Sequence, residues 1–161
     1  TPRTRKTRVL HWSRGLGDVY KRQGLCDRNS YEGEAAILLE NHAARYELEN
    51  CKSFIEGGSK GVFSPKNLIS RIHEEKTRGE STEVLAVNFL FSLATVVKDM
   101  ARGAGVRKVA MSGGVFQNSI LVDMIRELMS DEFDTYLNVN LAPNDENIAH
   151  GQIMYHLNQV R

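Results

Sequence analysis

Apolar positions in this chain alternate between short continuous runs and stretches with a helical period, the rhythm of an α/β protein. The first helical stretch follows Ser30-Tyr31-Glu32-Gly33 and runs from about Glu34 to Glu49, with Leu39, His42, Ala43 and Tyr46 at helical spacing. A loop with Gly57-Gly58 and Gly61 separates it from a second helix, in which Ser64 stands at the cap and Pro65 at the first helical position, reaching about Lys76. Ser81 caps a third, long helix that ends at Ala104, with Gly103 and Gly105 as its stop. Val84, Leu85, Val87, Phe89, Leu90, Phe91 and Leu93 make that helix apolar almost all round, which predicts a central, buried element. Val106 to Met111 has the length and β-branched content of a buried strand. After Gly113-Gly114, the segment Gln117 to Met129 places Ile120, Leu121, Met124, Ile125 and Leu128 on one helical face. Phe133 to Val139 reads as a second strand with Tyr136 and Leu137 in its middle, and Pro143-Asn144-Asp145 turns the chain into a last helix from about Glu146 to Leu157. The chain shows no internal repeat and no low-complexity tract.

The run Ser112-Gly113-Gly114 carries the first candidate chemistry. A paired glycine turns the backbone without Cβ obstruction, and a helix start presents free N–H groups and the positive end of the helix dipole, a combination suited to a phosphate. A plain tight βα connection satisfies the same pattern, and the residues alone leave both readings open.

Composition narrows the picture modestly. A length of 161 residues with 41% hydrophobic content is enough for one domain or part of one, with a real core. No run approaches the ~20 apolar residues of a membrane span, so no membrane association is expected. Cys26 and Cys51 have no CxxC spacing, which points neither to a disulfide framework nor to a local zinc site, and a reducing cytoplasm is the expected compartment.

The net charge of +1 hides an asymmetry. Residues 1 to 23 hold seven basic side chains (Arg3, Arg5, Lys6, Arg8, Arg14, Lys21 and Arg22) against Asp18, leaving 14 basic and 19 acidic residues in the remainder, a net of −5. An acidic body does not favour a nucleic-acid backbone as partner. The basic head lacks the apolar region of a secretory signal. Asp18-Val19-Tyr20-Lys21-Arg22-Gln23 is the translation of GAT GTG TAT AAG AGA CAG, which looks like the end of a transposase-based sequencing adapter. Residues 1–23 are therefore expected to be a disordered artefact without function, His11 and Trp12 included, with native sequence continuing upstream of Gly24.

Three motifs in order, Ser30-Tyr31-Glu32-Gly33-Glu34-Ala35-Ala36, Ser112-Gly113-Gly114-Val115-Phe116-Gln117-Asn118, and Pro143-Asn144-Asp145 with Gly151-Gln152, resemble the closing motifs of the hydrogenase maturation carbamoyltransferase family HypF. The resemblance runs from Gly24 to about Gln159. It implies that 24–161 is the C-terminal part of a carbamoyltransferase domain similar to the tRNA threonylcarbamoyl transferases. The fold it implies is part of an actin-like ATPase (ASKHA, ribonuclease H-like) unit, truncated at its N-terminus. The activity it implies begins with carbamoyl phosphate and ATP, proceeds through a carbamoyl-adenylate, and delivers the carbamoyl group to the C-terminal cysteine thiol of a HypE-like acceptor protein. Dehydration there yields the cyanide ligand of nickel–iron hydrogenases.

By the same resemblance Ser112, Gly113 and Gly114 match the phosphate-facing turn, and Asn118 an asparagine near the nucleotide. Glu34 falls where related proteins hold the ribose hydroxyls. Asp145 matches a ligand of a divalent metal, with iron, zinc and magnesium all open. A carboxylate suits a hard cation that holds phosphate oxygens. The residues by themselves permit plainer roles: Asp145 or Asn144 as a helix cap, Glu34 as a favourable first-turn charge, and Asn118 as a polar residue at a helix start.

Departures from the family pattern are specific. The histidine pair that supplies the other metal ligands is missing, since His42-Ala43 lies after the Tyr31-Glu32-Gly33-Glu34 motif instead of before it. His150 and His156 are six apart and face different sides of their helix, so surface or packing roles suit them better. Glu146-Asn147 stands where the family has two glycines, and Leu90 where many relatives carry a histidine. The family's acylphosphatase-like, zinc-finger and adenylating domains are absent as well, so the chain by itself is expected not to catalyse carbamoyl transfer. The alternatives are an O-carbamoyltransferase or a tRNA threonylcarbamoyl transferase relative, and a non-catalytic docking module. An adenylating pyrophosphatase is disfavoured because Phe116-Gln117 replaces the Asp-Ser that closes its glycine loop.

Overall fold

The computed structural model describes residues 33–55 and 63–159. The readings made for residues 1–23, for Cys26, for Tyr31 and Glu32, and for Gly57, Gly58 and Gly61 lie outside the described residues. In chain order the elements are α1 (Glu34–Ala43), α2 (Pro65–Thr77), α3 (Thr82–Ala104), β1 (Lys108–Met111), α4 (Ser119–Met129), β2 (Asp134–Leu137) and α5 (Ile148–Gln159). Short 3-10 turns lie at Leu48–Asn50, Gly114–Gln117 and Asp145–Asn147.

Helix α3 is the spine, with α1, α2 and α4 packed on it. Ser81 caps it as expected, its Oγ accepting from the Val84 N–H at 3.3 Å. Leu85, Phe89, Leu90 and Leu93 are buried. Val84, however, faces solvent at its first turn, and Val87 and Phe91 are only partly buried. By length and composition α3 is apolar enough to cross a membrane, which corrects the expectation that no segment reaches that mark. Three helices packed against it make it a core helix here. Its stop is Gly105 alone: at φ 64° it takes the left-handed cap, with its N–H on the Arg102 carbonyl and the Val106 N–H on that of Ala101. Gly103 lies within the helix.

Helix α1 ends at Ala43, well short of the expected Glu49. Glu47 takes an extended conformation, after which Leu48–Asn50 forms its own turn. The chain is drawn across α3 by two buried polar side chains that break that helix's apolar run. Asn88 Oδ1 accepts from the Lys52 N–H at 2.8 Å, and Ser92 Oγ from the Phe54 N–H at 2.7 Å. Directed bonds of this kind satisfy partly buried backbone groups that a continuing helix would satisfy internally. Helix α2 starts at Pro65 as expected, but Ser64 makes no side-chain capping bond and contributes only its carbonyl.

Strands β1 and β2 pair in parallel, with Lys108 opposite Asp134 and Met111 opposite Leu137. Both are shorter than the expected 106–111 and 133–139. Met111 is buried, Val109 and Leu137 are partly buried against the helical layer, and Ala110 and Tyr136 stay exposed. Helix α4 covers the layer with Leu121, Met124, Ile125 and Met129, all buried.

The α3–β2 corner is tied by charge. Arg102 donates two hydrogen bonds to the Glu132 carboxylate, Lys98 Nζ lies 3.1 Å from the same group, and Lys98 also donates to the Leu128 carbonyl. The bonds from Arg102 and Lys98 hold Glu132 down to about 2, below its ordinary value of 4.5. A carboxylate with a depressed folded pKa adds stability that is present above its unfolded pKa and lost as pH falls through its folded one. Glu132→Gln is therefore expected to flatten the fall in urea midpoint between pH 4.5 and 2, with the wild-type chain retaining the steeper slope.

Candidate functional site

Beyond the C-terminal end of β1 the chain enters Ser112-Gly113-Gly114. Gly113 sits at φ 118°, ψ 159°, a region essentially closed to side chains. That conformation aims its N–H at the Pro143 carbonyl at 2.5 Å. Ser112 Oγ lies 3.4 Å from the same carbonyl and accepts from Asn138 Nδ2 at 3.3 Å. The second and third motifs of the sequence, 31 residues apart at Ser112 and Pro143, thus meet in one loop cluster beyond the strand ends.

The glycine turn does not feed the helix directly, as the sequence pattern suggested. Gly114–Gln117 forms a separate 3-10 turn, and α4 begins one residue after Asn118. The Gly114 and Val115 N–H groups lead that turn and have no partner within it. Both glycines stand clear of other groups: a Cβ at Gly113 would meet nothing within 4 Å, and one at Gly114 only Gln117 Oε1 at 3.9 Å.

Asn118 is buried, and its Oδ1 accepts from the Leu121 N–H at 2.9 Å. It is the N-cap of α4, which leaves at most its Nδ2 for a ligand. Asn118→Ala is expected to cost about 0.5–2 kcal/mol, read as a lower urea midpoint at unchanged slope.

The sequence reading missed Glu40. Its carboxylate, on α1, accepts from both the Ser119 N–H (2.8 Å) and the Ser119 hydroxyl, spanning 79 residues of chain. The N-terminus of α4 is therefore already held by Asn118 and Glu40, whereas the Gly114 and Val115 N–H groups have no backbone partner among the described residues. Glu40 carried no signal beyond being an acid on the otherwise apolar run Ile37-Leu38-Leu39, because its partner is distant in sequence. Asn138 and the Pro143 carbonyl were missed for the same reason.

Glu34 lies in the first turn of α1, partly buried, six residues before Glu40 and so about 9 Å along the helix axis. The structure brings α1 against α4 through Glu40. Asp145 is exposed in the Asp145–Asn147 turn. The cap there is Asn144, whose Oδ1 accepts from the Glu146 N–H at 3.2 Å, so the capping role falls to Asn144 and the Asp145 carboxylate is not spent on it. Asn147 Oδ1 is buried without a hydrogen-bond partner among the described residues.

The described residues offer only part of a divalent-cation site. Among the described residues no three His, Cys, Asp or Glu side chains converge on one point. Hard cations take several oxygen ligands, and Asp145 supplies one. His150 and His156 are exposed on α5, and Leu90 is sealed in the core. Cys51 is a free thiol whose pKa is raised by burial and by nearby Glu127, which disfavours a nucleophilic thiolate.

Comparison with known proteins shows what this chain is similar to. Residues 14–152 match the family model described as carbamoyltransferase, Kae1-like domain, second subdomain. The carbamoyltransferase HypF of Synechocystis sp. is 30% identical over 134 residues, covering 81% of this chain and 17% of that relative. That of Rhodobacter capsulatus is 27% identical over 132 residues, with the same coverage. The crystal structure of T. kodakarensis HypF superposes with a TM-score of 0.66 at 26% identity, over 88% of this chain and 19% of that one. The chain thus spans about a sixth of the length of the curated relatives it matches, and its fold is of the actin-like, ribonuclease H-like class. With its glycine turn and Pro143 loop joined as described, the chain belongs to the HypF carbamoyltransferase family, in the second subdomain of the Kae1-like domain.

Proposed function

We propose that this chain is the nucleotide-side half of a carbamoyltransferase site. In this reading the complete protein uses carbamoyl phosphate and ATP to form a carbamoyl-adenylate, and passes the carbamoyl group to the C-terminal cysteine of a HypE-like acceptor in the cytoplasm. The observation that carries it is the junction of Gly113 with Pro143 at 2.5 Å, which gathers the two motifs shared with the family beside an open pair of N–H groups.

The roles divide by chemistry. Gly113 supplies the conformation that opens the turn, and the Gly114 and Val115 N–H groups donate to phosphate oxygens of the nucleotide. Ser112 is oriented by Asn138 and the Pro143 carbonyl at the rim of the same cluster. Asn118 and Glu40 act at one remove by fixing α4 beneath the turn. Glu34 is the candidate for the ribose hydroxyls. In the transfer step the acceptor thiol gives up its proton to solvent and its sulfur bonds to the carbamoyl carbon, while the bond to the adenylate oxygen breaks and AMP leaves. A preorganised donor pair at that phosphate favours AMP as leaving group. No step is assigned to a metal, because the described residues do not form a site for one; Asp145 would be a single ligand among others contributed from elsewhere.

The test uses two preparations, the chain alone and the chain grafted in place of the matching segment of the Synechocystis relative. Carbamoyl-phosphate-dependent release of AMP is expected from the graft and not from the chain alone. Turnover by the chain alone would overturn its assignment as half of a site. A graft that folds but binds no ATP would overturn the nucleotide role.

A further inference from the structure

We propose that the groove between the C-terminal end of α1, the Leu48–Asn50 turn and the first turns of α3 is a binding site for a basic peptide segment, a Lys or Arg side chain presented with its own backbone. The groove has a volume of about 520 Å³, within the range of sites that hold small ligands. None of Ser112, Gly113, Gly114 and Asn118 lines it, so its ligand is independent of the nucleotide reading.

A half-used amide sits in the groove wall. Asn88 and Ser92, one turn apart on α3, both hold the segment that crosses that helix. Ser92 spends its whole hydrogen-bonding capacity in the fold, since its hydroxyl accepts from the Phe54 N–H and donates to the Asn88 carbonyl at 2.6 Å. Asn88 does not. Its Oδ1 takes the Lys52 N–H, but its Nδ2, which carries two donors, has no partner among the described residues, although Asn88 is only 6% exposed. Buried polar groups are nearly always paired, so an acceptor from outside is expected at this point of the groove. On the α1 side a donor is wanted instead. The helix ends without a glycine cap, Ala44 stays right-handed with its N–H on the Asn41 carbonyl, and the His42 carbonyl receives no backbone N–H among the described residues. A peptide unit offers one C=O and one N–H to such a pair.

Charge selects the side chain. Glu47 and Glu83 both line the groove, and the C-terminal pole of α1 adds negative potential. Hydrogen bonding to its own backbone holds the Glu83 carboxyl below its ordinary value of 4.5, so it is ionised at neutral pH. His42 Nδ1 lies 3.6 Å from Glu83 Oε1 and leaves the other oxygen open. Against these stands Arg45, the one permanent cation of the lining. Val84 and Val87 give apolar contact to the aliphatic stem of a Lys or Arg, whose charged end reaches the carboxylates.

The test is titration of the isotope-labelled chain, followed by its amide and methyl spectra, with N-acetyl-arginine methylamide. Saturable shifts of the Asn88 side-chain amide and of Val84 and Val87 are expected. Binding of n-butylguanidine, the same head without peptide groups, is expected to be about fivefold weaker, and N-acetyl-glutamate methylamide to give no saturable shift. Glu47→Gln with Glu83→Gln is expected to weaken the arginine probe about tenfold, and Arg45→Gln to tighten it about threefold. Should the double variant fail to fold, Arg45→Gln alone decides the sign. Weaker binding in Arg45→Gln, or preference for the glutamate probe, would overturn the proposal by making the site one for anions. Equal affinity for n-butylguanidine would overturn the peptide part, and an arginine probe without saturable shifts would overturn the whole.

Discussion

Alanine at Gly113 is expected to destabilise the chain by about 1–3 kcal/mol and to abolish nucleotide binding in the complete domain, whereas alanine at Gly114 leaves stability within about 0.5 kcal/mol. The two glycines are adjacent and look alike in sequence, but only the first holds a positive φ. A Cβ at Gly113 has room, so the effect is conformational and not steric. Relieving the strain means rotating the peptide away, which breaks the bond to the Pro143 carbonyl and separates the two loops. At Gly114 the added methyl makes ordinary contact with Gln117. Urea unfolding of both variants, with ATP titration of the grafted protein, separates these cases. Equal losses at the two positions would refute the conformational account.

Ile125→Ala is expected to cost about 2–5 kcal/mol, the largest single loss among the substitutions considered, because the side chain is fully buried and the wall around it relaxes only in part. The residue belongs to α4, whose packing on α3 holds the layer beneath β1. Against a typical domain stability of about 5–15 kcal/mol such a loss removes a large share, and in a chain with a bare sheet face it is expected to populate unfolded protein at room temperature. The neighbouring Arg126→Ala, on the exposed side of the same helix, is expected to stay within about 0.5 kcal/mol. Urea midpoints at matched slope decide the comparison.

Period and capping made most of the helices legible. Ser81 and Ala104 bounded α3, Pro65 opened α2, and Met129 closed α4, because in each case a local signal and the apolar period agree. Failures came where distant groups override local preference. Nothing between Ala44 and Glu49 forbids a helix; it is Asn88 and Ser92, some 36 to 38 residues away, that pull the following segment across α3. The strands came out shorter than their apolar runs for a related reason, since pairing ends where the partner strand ends. The candidate site was legible as motifs and not as geometry. Ser112, Gly113 and the Pro143 loop do come together, but Asn118 turned out to be a cap, and Glu40 and Asn138 entered only once long-range contacts were visible. Glu34 and Asp145 remain where the motifs put them, in the first turn of α1 and in the Asp145–Asn147 turn.

The carboxylate of Glu40 has one more effect. Seated on the first N–H of α4, it cancels the positive pole that a bare helix start would offer, and leaves a formal negative charge one short turn from the nucleotide-facing loop. Under the proposed function a polyphosphate approaches a neutralised pole on an acidic body, so the cationic charge that draws it in comes from outside the described residues. On the proposed reading the described residues by themselves repel an anion at this turn, and Glu40 sets how much cationic charge has to be supplied against it.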